Sequence, residues 1–535
     1  MARRPGIAAW ALLALVVLID AVVRLRLLDV PLDRDEGEYA YFGQLLLQGI
    51  PPYTTAYNFK LPGIYGVYAG ILATFGQTPA GVHLGLLVAN VAGCVLTFLL
   101  AIRLFTPVAG IAAGAAFTAL SLSSKLYGLT AYAEHFVLLP ALAGALALLS
   151  AVGSRRPLVF LASGVLFGLA FIVKQNGAAF VLFGALYALV QRADLGDGRS
   201  LARRLAPTLA LLGGALLPYA VLCVALARVG AFERFWSWTT VYAYHYASQV
   251  PPAQGLRLLA FTSGEILEGT YLVIALAAVG AAALVWDREA RSQRWFVGLL
   301  VLCSFAGTAA GLHFRRQYFL LLVPCAALLA GLAVDAVTRG LRASAPALRI
   351  GVPLALALLL VAQLLYAERD VLLEPVPERV ARALWGLNPF PESIEVARYI
   401  TARAAEGDRI AVIGSEPQIY FYTHRPAATG FIYTYPLMDA QPYAPQMQRQ
   451  MIAEIEAAKP RFVVLVNASA SWIVQPGSDR TLFQWWERYR QSLDCVGFVD
   501  ITDRGTTYVW DAAAPQYKPT SLVWLAIFER RPGAR

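Results

Sequence analysis

Charge is scarce in this chain. Only 15% of its 535 residues are Asp, Glu, Lys or Arg, and 58% are hydrophobic, whereas roughly 25% are charged in a soluble protein. The apolar runs are too sustained for the core of a soluble fold and describe a polytopic α-helical membrane protein. Cysteine is also scarce. Cys94, Cys223, Cys303, Cys325 and Cys495 are scattered, four of them within apolar runs. That spacing excludes a disulfide framework and a Cys-based metal site, and it leaves these residues as small hydrophobes. There is no G-x-G-x-x-G and no P-loop, so nucleotide binding has no signature. No internal repeat and no low-complexity tract is present. The net charge of +10 is mostly arginine near the ends of apolar runs. Such charge orients a membrane protein and, without a nucleic-acid motif, points to no nucleic-acid partner.

A spanning helix needs about 20 mostly apolar residues. Eleven candidates lie near 6–26, 81–104, 107–123, 135–153, 157–173, 177–191, 205–229, 264–286, 295–312, 316–338 and 350–367. The first is read as an uncleaved span, because no small-x-small site precedes Arg24 and Arg26. Residues 62–76 are apolar but short and glycine-rich, and are expected to be re-entrant or interfacial. With the N-terminus inside, every inner segment is basic: Arg3 and Arg4; Arg103; Arg155 and Arg156; Arg192, Arg199, Arg203 and Arg204; Arg288, Arg291 and Arg294; Arg339, Arg342 and Arg349. This satisfies the positive-inside rule, and making 62–76 a span would spoil it. The chain then divides into a membrane domain, 1–370, and an extracytoplasmic soluble domain, 371–535. In the latter, Ser393 is placed as the N-cap of a helix over 393–405, with a second helix over 451–458. Apolar strands at 409–413 and 461–466 suggest an α/β domain with a parallel sheet.

The residues with chemical potential gather on the outer side. The first outer loop, 28–63, opens with Asp33, Asp35, Glu36 and Glu38 and ends in Lys60-Leu61-Pro62-Gly63. A carboxylate pair there suits a divalent cation or a general base; a solvated loop or an acidic helix N-terminus is the plainer reading. Lys60 can grip a phosphate or simply snorkel to the interface. Glu134 and His135 open a span directly, where ionisable residues are costly. Lys174-Gln175-Asn176-Gly177 forms a minimal loop. His313-Phe314-Arg315-Arg316-Gln317-Tyr318 places two guanidiniums where a phosphate's oxygens can be met bidentately. Residues 230–263 read as a long loop carrying Phe232, Phe235, Trp236, Trp238, Tyr242, Tyr244, His245 and Tyr246. These form either an interfacial belt or a platform for a sugar or polyprenyl chain. Outer cations run against the topological bias and call for an anionic ligand.

The order of these motifs resembles the GT-C superfamily of integral-membrane glycosyltransferases, which use polyprenyl-phosphate sugars. The likeness is to the bacterial branch related to protein O-mannosyltransferases and the lipid A aminoarabinose transferase. It is carried by Asp35-Glu36-Gly37-Glu38-Tyr39-Ala40-Tyr41, Leu47-Gln48-Gly49, Pro52-Tyr53 and Lys60-Leu61-Pro62-Gly63. Glu134-His135, Lys174-Gln175, the stretch His313 to Gly331, and Gly407 to Gly414 followed by Tyr420 and Arg425-Pro426 continue it. The resemblance implies a GT-C-like fold in the plasma membrane. It implies inverting transfer to a lipid, glycan or protein acceptor at the outer face. It assigns catalysis to Asp35, Glu36 and Glu134, and substrate binding to Lys60, Tyr39, His135, Lys174, Gln175, His313, Arg315 and Arg316. Asp35 and Glu134 are the implied ligands should a divalent cation take part. A transporter of lipid-linked sugars would need midplane charges and broken-helix repeats, which the sequence does not display. A non-catalytic envelope scaffold would need no acidic loop facing cations on three others.

Overall fold

The structure is a computed structural model that describes residues 5–154, 156–193, 201–341 and 345–531. Arg3, Arg4, Arg155, Arg199 and Arg342, which enter the topological reading, lie outside the described residues. All eleven predicted spans are helical. They correspond to α1 (Ile7–Arg26), α4 (Pro79–Leu104), α5 (Pro107–Ser121), α6 (Ala133–Ser154), α7 (Pro157–Val173), α8 (Ala178–Ala193), α9 (Leu201–Arg228), α10 (Pro252–Trp286), α11 (Arg294–Ala309), α12 (Val323–Gly340) and α13 (Pro346–Ala367). Among the described residues seven helices are long and apolar enough to cross a membrane, and the chain is a multi-pass membrane protein. Between α1 and α4 lie α2 (Arg34–Leu47) and α3 (Gly63–Phe75). At 1.5 Å per residue, α3 is about 20 Å long, short of a hydrocarbon core of roughly 30 Å.

With lipid as solvent, helix association depends on close packing between small residues. The contact of α7 with α9 is of this kind. A Cβ on Gly164 would sit 1.9 Å from the Leu211 carbonyl oxygen, and one on Gly168 would sit 2.3 Å from that of Ala215.

Three sequence expectations are corrected. The stretch 230–263 is not a loop. Phe232–Trp236 is helical, Ser237–Tyr242 is a π-turn, Ala243–Ala247 is helical again, and α10 starts at Pro252. Its aromatics pack against one another, as in Trp238 with Tyr242 (centroids 5.3 Å apart), and against the first loop, as in Phe235 with Tyr53 (5.5 Å), which orders the segment.

The C-terminal sheet is mixed, in the order β1 (Ile410–Ile413), β2 (Phe462–Asn467), β5 (Val523–Arg530), β3 (Leu493–Thr502), β4 (Gly505–Trp510). Only β1 and β2, the two strands read from sequence, pair in parallel. The other three pairings are antiparallel. Ser393 is not an N-cap. The helix begins earlier, at Phe390, and the Ser393 hydroxyl donates to the Pro389 carbonyl at 2.6 Å.

The sheet domain docks on α2. A Cβ on Gly37 would meet the Gln418 backbone at 2.7 Å. Arg34 donates to the Ser415 carbonyl and the Glu416 carboxylate, both at 2.5 Å. The Tyr41 hydroxyl accepts from the Ala427 amide at 2.9 Å, and the Gly430 carbonyl accepts from the Tyr57 amide at 2.7 Å.

Candidate active site

The acidic cluster is the first turn and a half of a helix. Asp33 is the N-cap of α2 and closes a capping box with Glu36: its Oδ1 accepts from the Glu36 amide at 2.8 Å, and Glu36 Oε2 accepts from the Asp33 amide at 3.1 Å. Such a box satisfies two otherwise orphaned amides. The remaining oxygens are also committed. Asp33 Oδ2 accepts from the Tyr132 hydroxyl at 2.5 Å. Glu36 Oε1 accepts from the Ala131 amide at 2.6 Å and lies 3.3 Å from His83 Nε2. Glu36 therefore has no free oxygen for catalysis and lines neither lobe of the cavity described below. That corrects its expected role.

Residues three apart share a helix face, and Asp35 and Glu38 form a second pair. Lys60 Nζ lies 2.9 Å from Asp35 Oδ1, 2.6 Å from Glu38 Oε2 and 4.5 Å from the centroid of the Tyr39 ring. Glu38 Oε1 accepts from the Tyr65 hydroxyl at 2.9 Å. The Tyr433 hydroxyl reaches Asp35 Oδ1 at 3.1 Å and the Arg34 carbonyl at 2.9 Å. Burial by itself would raise the Asp35 carboxyl. The ammonium of Lys60, then that of Lys174, and the Tyr433 hydroxyl outweigh it and hold Asp35 below the usual aspartate range. Glu38 goes the other way, because its burial exceeds what Lys60 returns. Lys60 is raised despite burial, by both carboxylates.

Asp35, with 27% of its side chain exposed, stands where two cavity lobes meet. The first, about 560 Å³, is walled by aromatics, among them Tyr57, Trp238, Tyr242, Tyr246, Phe431 and Tyr433. The second, about 540 Å³, lies between Arg34, Tyr127, Tyr132, Phe261, Arg316 and Trp385. Asp35, Leu258, His313, Arg315, Gln317 and Tyr435 border both.

The other expected site residues divide by this geometry. Lys174 lines the aromatic lobe, paired with Glu134 and 4.8 Å from the centroid of the Tyr318 ring. Gln175 lines it too, donating to the Phe59 carbonyl at 2.6 Å. His313 stacks on Tyr246, with centroids 4.3 Å apart. Arg315 approaches only the Tyr246 hydroxyl, at 3.4 Å, and has no carboxylate partner among the described residues. Arg316 is held by Glu265, with Nε at 3.0 Å.

Glu134, expected to be catalytic, and Tyr39 and His135, expected to bind substrate, are corrections: all three are buried and border neither lobe. The Tyr39 ring lies beneath the Lys60 ammonium, and His135 is buried at the start of α6. Glu38, Tyr433, Tyr435 and Arg34 belong to the site but were not predicted. The run Phe431-Ile432-Tyr433-Thr434-Tyr435, aromatic at alternate positions, was the available signal.

No protein-family model matches the sequence, and no curated protein is similar to it. Solved structures are. The undecaprenyl-phosphate-bound crystal structure of ArnT from Cupriavidus metallidurans superposes with a TM-score of 0.62 at 16% identity, covering 97% of this chain and 98% of that one. The archaeal oligosaccharyltransferase AglB from Archaeoglobus fulgidus, in complex with an inhibitory peptide and a dolichol-phosphate, superposes with a TM-score of 0.55 at 12% identity, over 97% of this chain and 75% of that one. The chain has the GT-C fold. At these identities the likeness concerns the fold alone.

A divalent cation has a precedent within the GT-C fold, since another A. fulgidus oligosaccharyltransferase structure is a complex with Zn and sulfate (13% identity, TM-score 0.51, 96% of this chain and 74% of that one). The donor set here does not suit one. Asp35 faces the Lys60 ammonium and Glu134 faces that of Lys174. Among the described residues no three His, Cys, Asp or Glu side chains are grouped to hold a metal. Two carboxylates already neutralised by lysines fit no dication without displacing them, and no step below runs through a metal.

Proposed function

We propose that this protein is a glycosyltransferase that moves a sugar from a polyprenyl-phosphate donor to a cell-envelope acceptor at the outer face of the membrane, where the sheet domain also lies. The observation that carries the reading is the position of Asp35. It is an ionised carboxylate at the seam of two lobes, each large enough for a sugar ring. Solved proteins of the same fold bind undecaprenyl phosphate and dolichol-phosphate, which supports a lipid-phosphate donor.

Arg315 is the phosphate ligand in this reading, because its guanidinium at the seam is uncommitted and matches phosphate oxygens. Lys174 adds positive potential from the aromatic lobe. Lys60, expected to grip phosphate, instead holds Asp35 and Glu38. The acceptor hydroxyl attacks the anomeric carbon from the side opposite the phosphate. The new C–O bond forms as the bond to the phosphate oxygen breaks, with inversion. The electron pair leaves on polyprenyl phosphate, whose developing charge Arg315 offsets. Asp35 hydrogen-bonds the attacking hydroxyl and takes its proton late, as that oxygen becomes acidic. A carboxylate held at low pKa is suited to this orienting role more than to early deprotonation.

The test is single-turnover transfer by purified protein, using a panel of polyprenyl-phosphate sugars and envelope acceptors, with wild type and Asp35→Asn. Loss of turnover with retained donor binding supports the reading. Vesicle translocation of a lipid-linked sugar without transfer rejects it.

A further inference from the structure

The aromatic lobe contains a second carboxylate, supplied by the C-terminal domain. Asp439 follows the short helix Tyr435–Met438 and is 8% exposed. Its Oδ2 accepts from the Tyr242 hydroxyl at 2.6 Å, and its Oδ1 accepts from the Gln475 amide at 3.3 Å. No lysine or arginine pairs with it among the described residues. Asp439, Tyr242 and Gln475 all line the lobe, beside Trp238 and Pro436.

An ionised carboxylate offers about four acceptor positions, and only two are taken here. Leaving the rest of a buried carboxylate unmet costs free energy. A purely structural aspartate would be expected to face a cation or a set of backbone amides. This one pairs with no cation and faces an open lobe lined by aromatic rings, with Lys174 and Arg315 elsewhere on its walls. Flat rings beside a few placed polar groups are how protein pockets hold and orient a small ligand. A sugar ring offers both counterparts: C–H faces for the aromatics and hydrogen-bond donors on its edge for the carboxylate.

We infer that Asp439 is the specificity-determining contact for the transferred sugar. Its free lone pairs receive two donors on the ring edge remote from the anomeric carbon. Gln475 and Tyr242 fix the plane of the carboxylate. The inference rests on the proposed glycosyl transfer and adds which lobe holds the sugar and which group reads it. Two sources share this chemistry, a pair of hydroxyls on a neutral sugar or a protonated amino group.

The experiment measures binding to the full chain in detergent, with three probes: undecaprenyl phosphate, undecaprenyl-phosphate-linked glucose, and undecaprenyl-phosphate-linked glucosamine. Wild type is expected to bind at least one sugar-bearing probe more tightly than the bare lipid phosphate. In Asp439→Asn that preference falls by about tenfold or more, the value of a hydrogen bond to a charged group, while affinity for undecaprenyl phosphate is unchanged. Tyr242→Phe, which keeps the carboxylate but frees its plane, shows the same pattern with a smaller loss and covers the case in which Asp439→Asn does not fold. Selective loss of the glucosamine probe identifies an amino group, and selective loss of the glucose probe identifies hydroxyls. Equal wild-type binding of all three probes, or a preference retained in both variants, overturns the inference. Failure of wild type to bind undecaprenyl phosphate at all refutes the donor reading instead, and the inference falls with it.

Discussion

Two carboxylate pairs stand at the start of α2, offset by two residues and so about 200° apart around its axis, and their fates differ. Asp33 and Glu36 accept from two helix amides, the Tyr132 hydroxyl and the Ala131 amide. Every oxygen of that pair is turned inward to fix where the helix starts and how it meets the loop before α6. Asp35 and Glu38 share one ammonium, that of Lys60, and Asp35 is left partly open to the cavity. The same residue types at the same spacing thus do structural work on one face of the helix and chemical work on the other. What separates them is the partner supplied by the rest of the chain. Backbone amides and a tyrosine saturate one pair. A lysine polarises the other and leaves acceptor capacity unused.

The strongest way to break this contrast is Asp35→Asn. The side chain stays isosteric and keeps a carbonyl for Lys60 and Tyr433. Thermal stability should change little, while turnover falls by about 10² to 10⁴, the range for loss of a positioned proton acceptor. Equal losses in Asp35→Asn and Glu36→Gln, compared per folded molecule, would erase the distinction. Lys60→Met comes next. It removes the cation from both members of the open pair, and orphaning a buried charge costs about 3–5 kcal/mol. This variant should therefore lose stability as well as turnover, and a melting curve beside the transfer rate separates the two effects.

The membrane architecture was legible in the sequence because lipid imposes a length and a composition on each span. Eleven apolar runs became eleven helices. The sheet was half legible. Fully apolar β1 and β2 stood out, whereas β3 (LDCVGFVDIT) and β4 (GTTYVW) mix polar and apolar residues along strands that are partly exposed. Asp35, Lys60, Lys174, Gln175, His313 and Arg315, which line the cavity, were reached from the predicted outer loops together with the family resemblance. Glu36 and His135 were not distinguishable from them, because sequence adjacency does not reveal helix phase. Tyr433 was invisible for another reason. It comes from a domain nearly 400 residues downstream, and its contact with Asp35 exists only because Gly37 and Arg34 let that domain dock on α2.

Tyr433→Phe sharpens the contrast at the level of a single hydrogen bond. Its hydroxyl stabilises the charged form of Asp35, so its removal moves the Asp35 pKa upward. A carboxyl lowered in the folded state contributes stability above its unfolded pKa, about 3.9, and loses it as pH falls through the folded value. In wild type the acid limb of the rate profile assigned to Asp35 therefore lies below the ordinary carboxylate range. In Tyr433→Phe the limb shifts toward higher pH and the plateau rate drops by about tenfold, in keeping with one hydrogen bond to a charged group. A purely packing role for Tyr433 would lower the rate without moving the limb, and a pH–rate profile from pH 3 to 7 tells the two apart.

The smallest effect on chemistry belongs to the closed pair. Asp33→Asn keeps the N-cap oxygen but turns an N–H toward the Tyr132 hydroxyl, which loses its acceptor, so it should lose a little stability and leave the rate per folded molecule near wild type. Asp33→Ala removes the cap and leaves the Tyr132 hydroxyl without its acceptor. Loss of an N-cap costs about 1 kcal/mol, and a stranded buried hydroxyl costs about 1–3 kcal/mol more, so the variant should melt earlier. Its rate per folded molecule should stay near wild type, because Asp35 is held from the other side, by Lys60 and by Tyr433. If Asp33→Ala instead abolished turnover at full stability, the helix start itself would be part of the catalytic geometry, and the two faces of α2 would act as one site.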